Sequence, residues 1–179
     1  MSITAMKPHR VPFFVPMFNP FVRVLVRLGI RLGPQRAPMV LLTIRGRKTG
    51  ASYTNPVNMF RVNGRRYVFA TFGETSWVKN LRAAGRAELT EGRRRLVVDA
   101  LVLRPEAAAP IMREALMPFL RSPATAIALK RFYTVVHHDA TLEDFVTEAG
   151  RHPAFELREL SRPSSRIASA VTRGNGSRT

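Results

Sequence analysis

Asn63-Gly64 is the dipeptide that most narrows what this chain can fold into. Both residues accept left-handed backbone dihedrals, so they suit the central positions of a type I′ turn, whose twist matches that of two antiparallel strands. Strand-like runs flank it, residues 52–61 before and 66–72 after, which makes a hairpin the local reading. Pro56 interrupts the first run. A proline cannot donate to a ladder, so it belongs at an edge or a bulge. Residues 86–90, a Glu91-Gly92 turn and residues 94–104 form a second hairpin, and residues 40–44 and 153–160 read as further strands. No strand–helix–strand repeat appears. The expected fold is α+β, a mostly antiparallel β-barrel with flanking helices.

Between the 40–44 strand and its successor lies Gly-Arg-Lys-Thr-Gly, residues 46–50, preceded by Arg45. Arg45, Arg47 and Lys48 bring positive charge, Thr49 a hydroxyl, and Gly46 and Gly50 let backbone N–H groups face a ligand. That is the chemistry an anion requires. After the hairpin, Gly73 and Glu74 lead into a short helix that Thr75 or Ser76 can cap, carrying Trp77, Leu81 and Ala84 and stopped by Gly85. A helix N-terminus reached from a strand end through a glycine loop is a second place to hold an anion.

With 179 residues, the chain has the size of one domain plus extensions, enough for a core without metal or disulfide. The absence of cysteine excludes a disulfide framework, thiolate metal sites and thiol nucleophiles, and agrees with a cytoplasmic location. Any redox chemistry must therefore come from a bound cofactor. The formal charge of +17, from 29 basic and 12 acidic side chains, attracts phosphates and anionic surfaces. The basic residues are spread along the chain without a helix-turn-helix, zinc-finger or aromatic-sheet signature, so nucleic acid is not the expected partner.

Three segments follow: residues 1–38, an arm; residues 39–160, the barrel; and residues 161–179, a polar tail expected to be disordered. Pro8, Pro12, Pro16 and Pro20 break up the start of the arm. Residues 21–32, opening on Phe21 and closing on Leu32, place Arg23, Arg27 and Arg31 at four-residue intervals against an apolar remainder. Such a stripe reads as a helix packed on the domain or on a second copy, or as one lying on an anionic membrane surface, peripheral on the inner face of the cell membrane. It is too short and too charged to span a bilayer and lacks the cleavage region of a secretory signal.

Further along, residues 94–104 are apolar on both faces, as in a barrel wall covered by a helix or a partner subunit. Asp99 within them is expected to pair with an arginine. Pro105 and Glu106 start a helix reaching about residue 115, and Pro123 begins another over residues 124–132. His137 and His138 are adjacent, so their imidazoles diverge and no metal site is expected. Thr141 with Asp144 forms a capping box for a helix running to Ala149, with Gly150 as its stop.

Residues 46–50, Pro56 six positions on, the Asn63-Gly64 hairpin, a strand ending in Ala70-Thr71, then Trp77 and Asn80-Leu81 together resemble the deazaflavin-dependent nitroreductase family. The likeness covers roughly residues 39–103 and returns at Pro153 to Leu157. It differs at residues 53–55, where Tyr53, Thr54 and Asn55 stand in an interval that usually carries an arginine. The resemblance implies a split β-barrel of the FMN-binding type, binding the deazaflavin coenzyme F-420, and a homodimer. It implies an oxidoreductase passing hydride from the reduced coenzyme to a small quinone, nitroaromatic or enone. Cofactor contacts would come from Arg45, Arg47, Lys48, Thr49, Gly50 and Pro56, and from Ala70, Thr71, Phe72, Gly73, Ser76 and Trp77. Tyr133 would offer a substrate-facing hydroxyl. The same fold hosts FMN, whose phosphate the basic turn would serve equally well. A non-enzymatic, membrane-associated cofactor-binding protein is the remaining reading.

Overall fold

A computed structural model describes residues 23–26, 28, 30, 32–133, 137 and 139–160. Six strands, β1 (Met39–Arg45), β2 (Ser52–Val62), β3 (Arg65–Phe69), β4 (Arg86–Glu91), β5 (Arg94–Leu103) and β6 (Ala154–Glu159), close a barrel in the order β1-β2-β3-β6-β5-β4. Every neighbouring pair is antiparallel. Helix α1 (Ser76–Ala84) joins β3 to β4. After β5 come α2 (Pro105–Leu116), a 3-10 turn (Met117–Arg121), α3 (Pro123–Lys130) and α4 (Leu142–Arg151).

The period-2 pattern decides which side chains fill the barrel. Val40, Leu42 and Ile44 of β1 point inward with Met59, Val68, Leu89, Val98 and Phe155, and α1 closes this core with Val78 and Leu81. Residues of opposite parity on the first hairpin, Phe60, Tyr67 and Phe69, face outward into a second core with Met112 and Leu116 of α2 and Phe145 of α4. Each fully buried side chain of this size contributes roughly 1.5–3 kcal/mol. Burial on both faces of β2 and β3 thus makes the Asn63-Gly64 hairpin the wall shared by the two cores.

That hairpin forms as expected, with φ of 49° at Asn63 and 74° at Gly64. Pro56 pairs with Leu41, while β3 pairs only with Met59 to Val62. It therefore occupies the part of β2 with a single neighbour, where a proline is tolerated.

Four local expectations change. The arm expected over residues 66–72 stops at Phe69, because the Gly73 N–H closes a turn onto the Ala70 carbonyl at 2.8 Å. Glu91 remains in β4 opposite Arg94, so the turn consists of Gly92 and Arg93. Helix α4 continues past Gly150 to Arg151, where the His152 N–H reaches the Glu148 carbonyl at 3.0 Å. On β5, Val98 and Ala100 are buried and Leu103 packs on the second core, whereas Val97 and Leu101 are 49% and 39% exposed with no helix of the described residues over them.

The capping box of Thr141 and Asp144 is complete. The Thr141 backbone N–H and hydroxyl both donate to the Asp144 carboxylate, at 2.8 and 2.9 Å, and hold it below the usual carboxylate range. Asp99 meets Arg86 at 3.3 Å. Of the amino-terminal stripe, Arg23 is described in a helical turn over residues 23–26, while Arg27 and Arg31 lie outside the described residues, as do His138 and the tail over residues 161–179. Among the described residues no helix is long and apolar enough to cross a membrane.

Candidate functional site

The 46–50 turn is the hinge of the β1–β2 hairpin, since Arg45 pairs with Ser52. Inside it, the Gly46 N–H donates to the Ala51 carbonyl at 2.7 Å and the Gly50 N–H to the Gly46 carbonyl at 2.9 Å. Gly50 has φ of 69°, a region that side-chain-bearing residues rarely adopt. The Thr49 hydroxyl accepts from the Ala51 N–H at 3.3 Å and lies 3.2 Å from the Tyr53 hydroxyl. Thr49 therefore shapes the turn from within.

Helix α1 fixes the turn from the side. Asn80 is buried, and its Oδ1 accepts from Arg47 Nη1 at 2.7 Å and from the Arg47 backbone N–H at 3.4 Å. The Arg47 side chain is thereby held along an open groove of about 420 Å³ lined by Arg47, Glu74, Lys79, Arg82 and Ala83. Arg82 pairs with Glu74. Arg45, Arg47, Lys48 and Lys79 have no carboxylate partner among the described residues. The groove and its rim thus carry a surplus of positive charge facing solvent, and that donor set fits an anion.

Next to it, residues 70–73 leave β3. The Ala70 N–H donates to the Pro153 carbonyl at 2.9 Å. Thr71, Phe72 and Gly73 are half-buried, and Phe72 packs edge-on against Phe132 at 5.6 Å. Trp77 tilts over Phe155 at 6.2 Å, at the mouth of the inner core. Ser76 is exposed at the first residue of α1. The N-cap position belongs to Thr75, yet it makes no side-chain capping bond, and its hydroxyl is buried without a partner.

Tyr133 is placed differently from the expectation of a substrate-facing hydroxyl. It is 4% exposed, its ring lies 4.7 Å from that of His152, and its hydroxyl sits 3.4 Å from Thr71 Oγ1. Burial pushes that hydroxyl up to about 12, against the opposing effect of the Thr71 contact. Tyr133 packs behind the 70–73 segment and stays protonated.

The structure thus brings Arg45, Arg47, Lys48, Thr49 and Gly50 together in one turn and ties it to α1 at Asn80, while Trp77 packs on the inner core at Phe155 and Ser76 is exposed at the start of α1. Pro56 is four residues along β2 from Ser52, about 13 Å from the turn. Sequence reasoning omitted Lys79, Asn80 and Arg82 as site residues. Lys79 and Arg82 share one helical face at i,i+3, a visible signal, whereas the bond from Asn80 across to Arg47 has no sequence signature. Among the described residues no cluster of metal-ligating side chains is present.

A closed antiparallel barrel whose first hairpin turn gathers cations against helix α1 offers a place where an anion can be held. Residues 20–120 match the model of the F-420H(2)-dependent quinone reductase family. The chain belongs to that family, a family of deazaflavin-dependent oxidoreductases on a split β-barrel. No curated protein matches it significantly.

Similar solved structures include a protein of unknown function from Agrobacterium tumefaciens, 15% identical, with a TM-score of 0.49. That match covers 87% of this chain, which spans only 60% of the other. An F-420-H2 dependent reductase is 21% identical, covering 67% of this chain and 93% of that one at a TM-score of 0.43. An FAD-binding protein from Mesorhizobium loti is 12% identical, covering 79% and 89% at 0.42. All three scores are below 0.5, so the assignment rests on the family match.

Proposed function

We propose that this protein binds the phosphate of F-420 at the 46–50 turn and lets a quinone-class acceptor meet the ring beside residues 70–73. The observation that carries this reading is the set of cations without carboxylate partners, Arg45, Arg47, Lys48 and Lys79, gathered at one turn and one groove. Arg47 is oriented by Asn80 and Lys48 acts as a mobile charge. The bound deazaflavin supplies two-electron hydride chemistry. The chain's share is orientation and exclusion of water: Trp77 and Phe72 offer apolar walls, and the α1 N-terminus favours negative charge.

A fluorescence titration of the wild type and Lys48→Ala with F-420 and with FMN, at two salt concentrations, tests this. Each well-placed charged hydrogen bond contributes about 1.5–3 kcal/mol. Lys48→Ala should therefore weaken F-420 binding roughly ten-fold or more and flatten its salt dependence. Thr49→Ala should do less, because its hydroxyl is tied within the turn. Tight FMN binding with no response to F-420 would overturn the cofactor assignment.

Two contacts belong to the same proposal. The outer face of β5, with Val97 and Leu101 exposed, suits a second copy of the chain, and sedimentation showing monomer alone at high concentration would exclude this. Val24, Leu28 and Ile30 are exposed in the amino-terminal segment, which with its arginines suits an anionic bilayer surface. Removal of residues 1–32 should reduce sedimentation with anionic vesicles and leave neutral ones unaffected.

A further inference from the structure

Beneath the 70–73 segment lie two buried ionisable side chains that the reading above does not use. Glu148 and His152 are adjacent on one face of α4 and its C-cap, with side chains 1% and 7% exposed. Imidazole Nε2 stands 2.9 Å from Glu148 Oε1, and Nδ1 stands 3.0 Å from the Ala70 carbonyl oxygen.

The register explains why a side chain sits there. Phe69 pairs with Ala154, so the next pair along the antiparallel ladder is Ala70 with Pro153. Half of that pair forms, since the Ala70 N–H donates to the Pro153 carbonyl at 2.9 Å. The return bond cannot form, because proline has no N–H. Nδ1 of His152 supplies the missing donor at the same carbonyl, which also accepts the Gly73 N–H at 2.8 Å. Both acceptor sites of the Ala70 oxygen are therefore occupied, and the turn through residues 70–73 is closed from both sides.

Donor counting fixes the arrangement further. A carbonyl only accepts, so Nδ1 must carry hydrogen. A hydrogen bond between Nε2 and a carboxyl oxygen requires a further proton between them, as imidazolium with carboxylate or as imidazole with carboxylic acid. Either state leaves the pair with no net charge, which limits the cost of burying it. Tyr133 packs against the ring at 4.7 Å, tilted by 51°, and its hydroxyl lies against Thr71 in the same segment.

We infer that Glu148 and His152 form a positioning brace, in which Glu148 orients the imidazole and the imidazole fixes the backbone that borders the coenzyme ring. This rests on the reading of residues 70–73 as the ring border. The brace itself is a property of the protein without coenzyme, so it can be tested separately.

The test compares His152→Phe, Glu148→Leu and Glu148→Gln in the full chain by amide hydrogen exchange of the coenzyme-free protein. F-420 titration of the same samples follows. His152→Phe removes the donor, and exchange at the Gly73 and Ala70 amides should accelerate about ten-fold or more relative to amides of β1. Glu148→Leu leaves the imidazole unguided and should give a smaller acceleration. Glu148→Gln can donate to Nε2 and keep Nδ1–H on the Ala70 carbonyl, so protection there should stay close to the wild type. F-420 affinity should fall in the same order as protection.

Unchanged protection at Gly73 in whichever of His152→Phe and Glu148→Leu folds would overturn the brace. So would equal damage from Glu148→Gln and Glu148→Leu, which would mean that charge alone matters. Altered protection with unaltered F-420 affinity would overturn the link to the coenzyme. Absence of F-420 binding by the wild type would instead count against the site reading and leave the exchange result to judge the brace.

Discussion

On the barrel wall, Arg61, Arg65, Arg66, Arg94, Arg95 and Arg158 each lie against a carboxylate, at separations from 2.7 to 3.8 Å. Around the 46–50 turn, Arg45, Lys48 and Lys79 meet none among the described residues, and Arg47 is held by the neutral amide of Asn80. Both regions are rich in cations, yet only one leaves its charge uncompensated. On the wall, Glu156 meets Arg65 of β3 and Arg158 of its own strand, Glu159 meets Arg66 of β3 and Arg94 of β5, and Glu91 meets Arg61 of β2. At the turn, no acidic residue occurs from Arg45 to Asn58. The high net charge of the chain is therefore less informative than where it is left unpaired. An unpaired, solvent-facing cluster has potential to spend on an anionic ligand, whereas a paired one has already been neutralised locally.

The largest effect that would sharpen this contrast comes from Arg47→Ala. It removes a fixed cation and frees the Asn80 amide that locks the turn to α1. F-420 affinity should fall by roughly ten-fold to a hundred-fold, from a charged hydrogen bond of about 1.5–3 kcal/mol. Arg47→Lys should recover little, since a lysine cannot reach Asn80 and the ligand together through a planar fork. Full affinity in Arg47→Ala, measured by titration alongside an unchanged melting temperature, would show that the turn's charge has no special use.

How much of this was legible beforehand follows the range of each interaction. The Asn63-Gly64 hairpin, the Gly85 helix stop and the Thr141–Asp144 capping box depend on residues close in sequence, and all three are present. The cation cluster of the turn was readable for the same reason. Gly150 misled because a glycine inside a helix costs only roughly 1 kcal/mol, and the backbone ladder runs on past it, with the His152 N–H on the Glu148 carbonyl. Burial of Tyr133 depends on Thr71 and His152, 62 residues upstream and 19 downstream, and nothing local announces it. The outer face of β5 reads from the sequence as covered by a helix or a partner subunit; no helix of the described residues covers Val97 and Leu101, and two-sided apolarity alone cannot choose between the two.

A smaller effect is expected on the wall, at Glu156. This carboxylate is buried, accepts from Arg158 Nε and Nη2 at 3.0 Å each, and lies 3.6 Å from Arg65. Hydrogen bonding to Arg158 holds its carboxyl below the usual range, against the opposing pull of desolvation. A depressed folded pKa means stability that is full above the ordinary carboxylate range and lost as pH falls through the folded value. Glu156→Gln should thus lower stability at neutral pH by about 1 kcal/mol, once the solvent exposure of both arginines is discounted. It should also remove part of the loss seen on acidification below about pH 4. Parallel acid melts of the two proteins would check this, and identical slopes would mean that Glu156 is not held by its arginines.

The smallest effect belongs to Arg61, and it tests the paired half of the comparison most directly. Its Nη2 lies 2.7 and 2.8 Å from the two oxygens of Glu91, joining β2 to the end of β4. The geometry is good, but the side chains are 47% and 31% exposed, so water and salt screen the attraction and both chains lose rotamer freedom to meet. Exposed pairs of this kind contribute about 0.2–1 kcal/mol. Arg61→Ala should therefore lower the melting temperature by a few degrees at most, and a double-mutant cycle with Glu91→Ala should give a coupling inside that range. F-420 affinity should not change, although the variant loses the same unit of charge as Lys48→Ala. Comparing those two variants at equal ionic strength separates position from net charge: if Arg61→Ala weakened the coenzyme as much as Lys48→Ala, the ligand would be responding to the field of the whole molecule and the turn would lose its claim as the phosphate site.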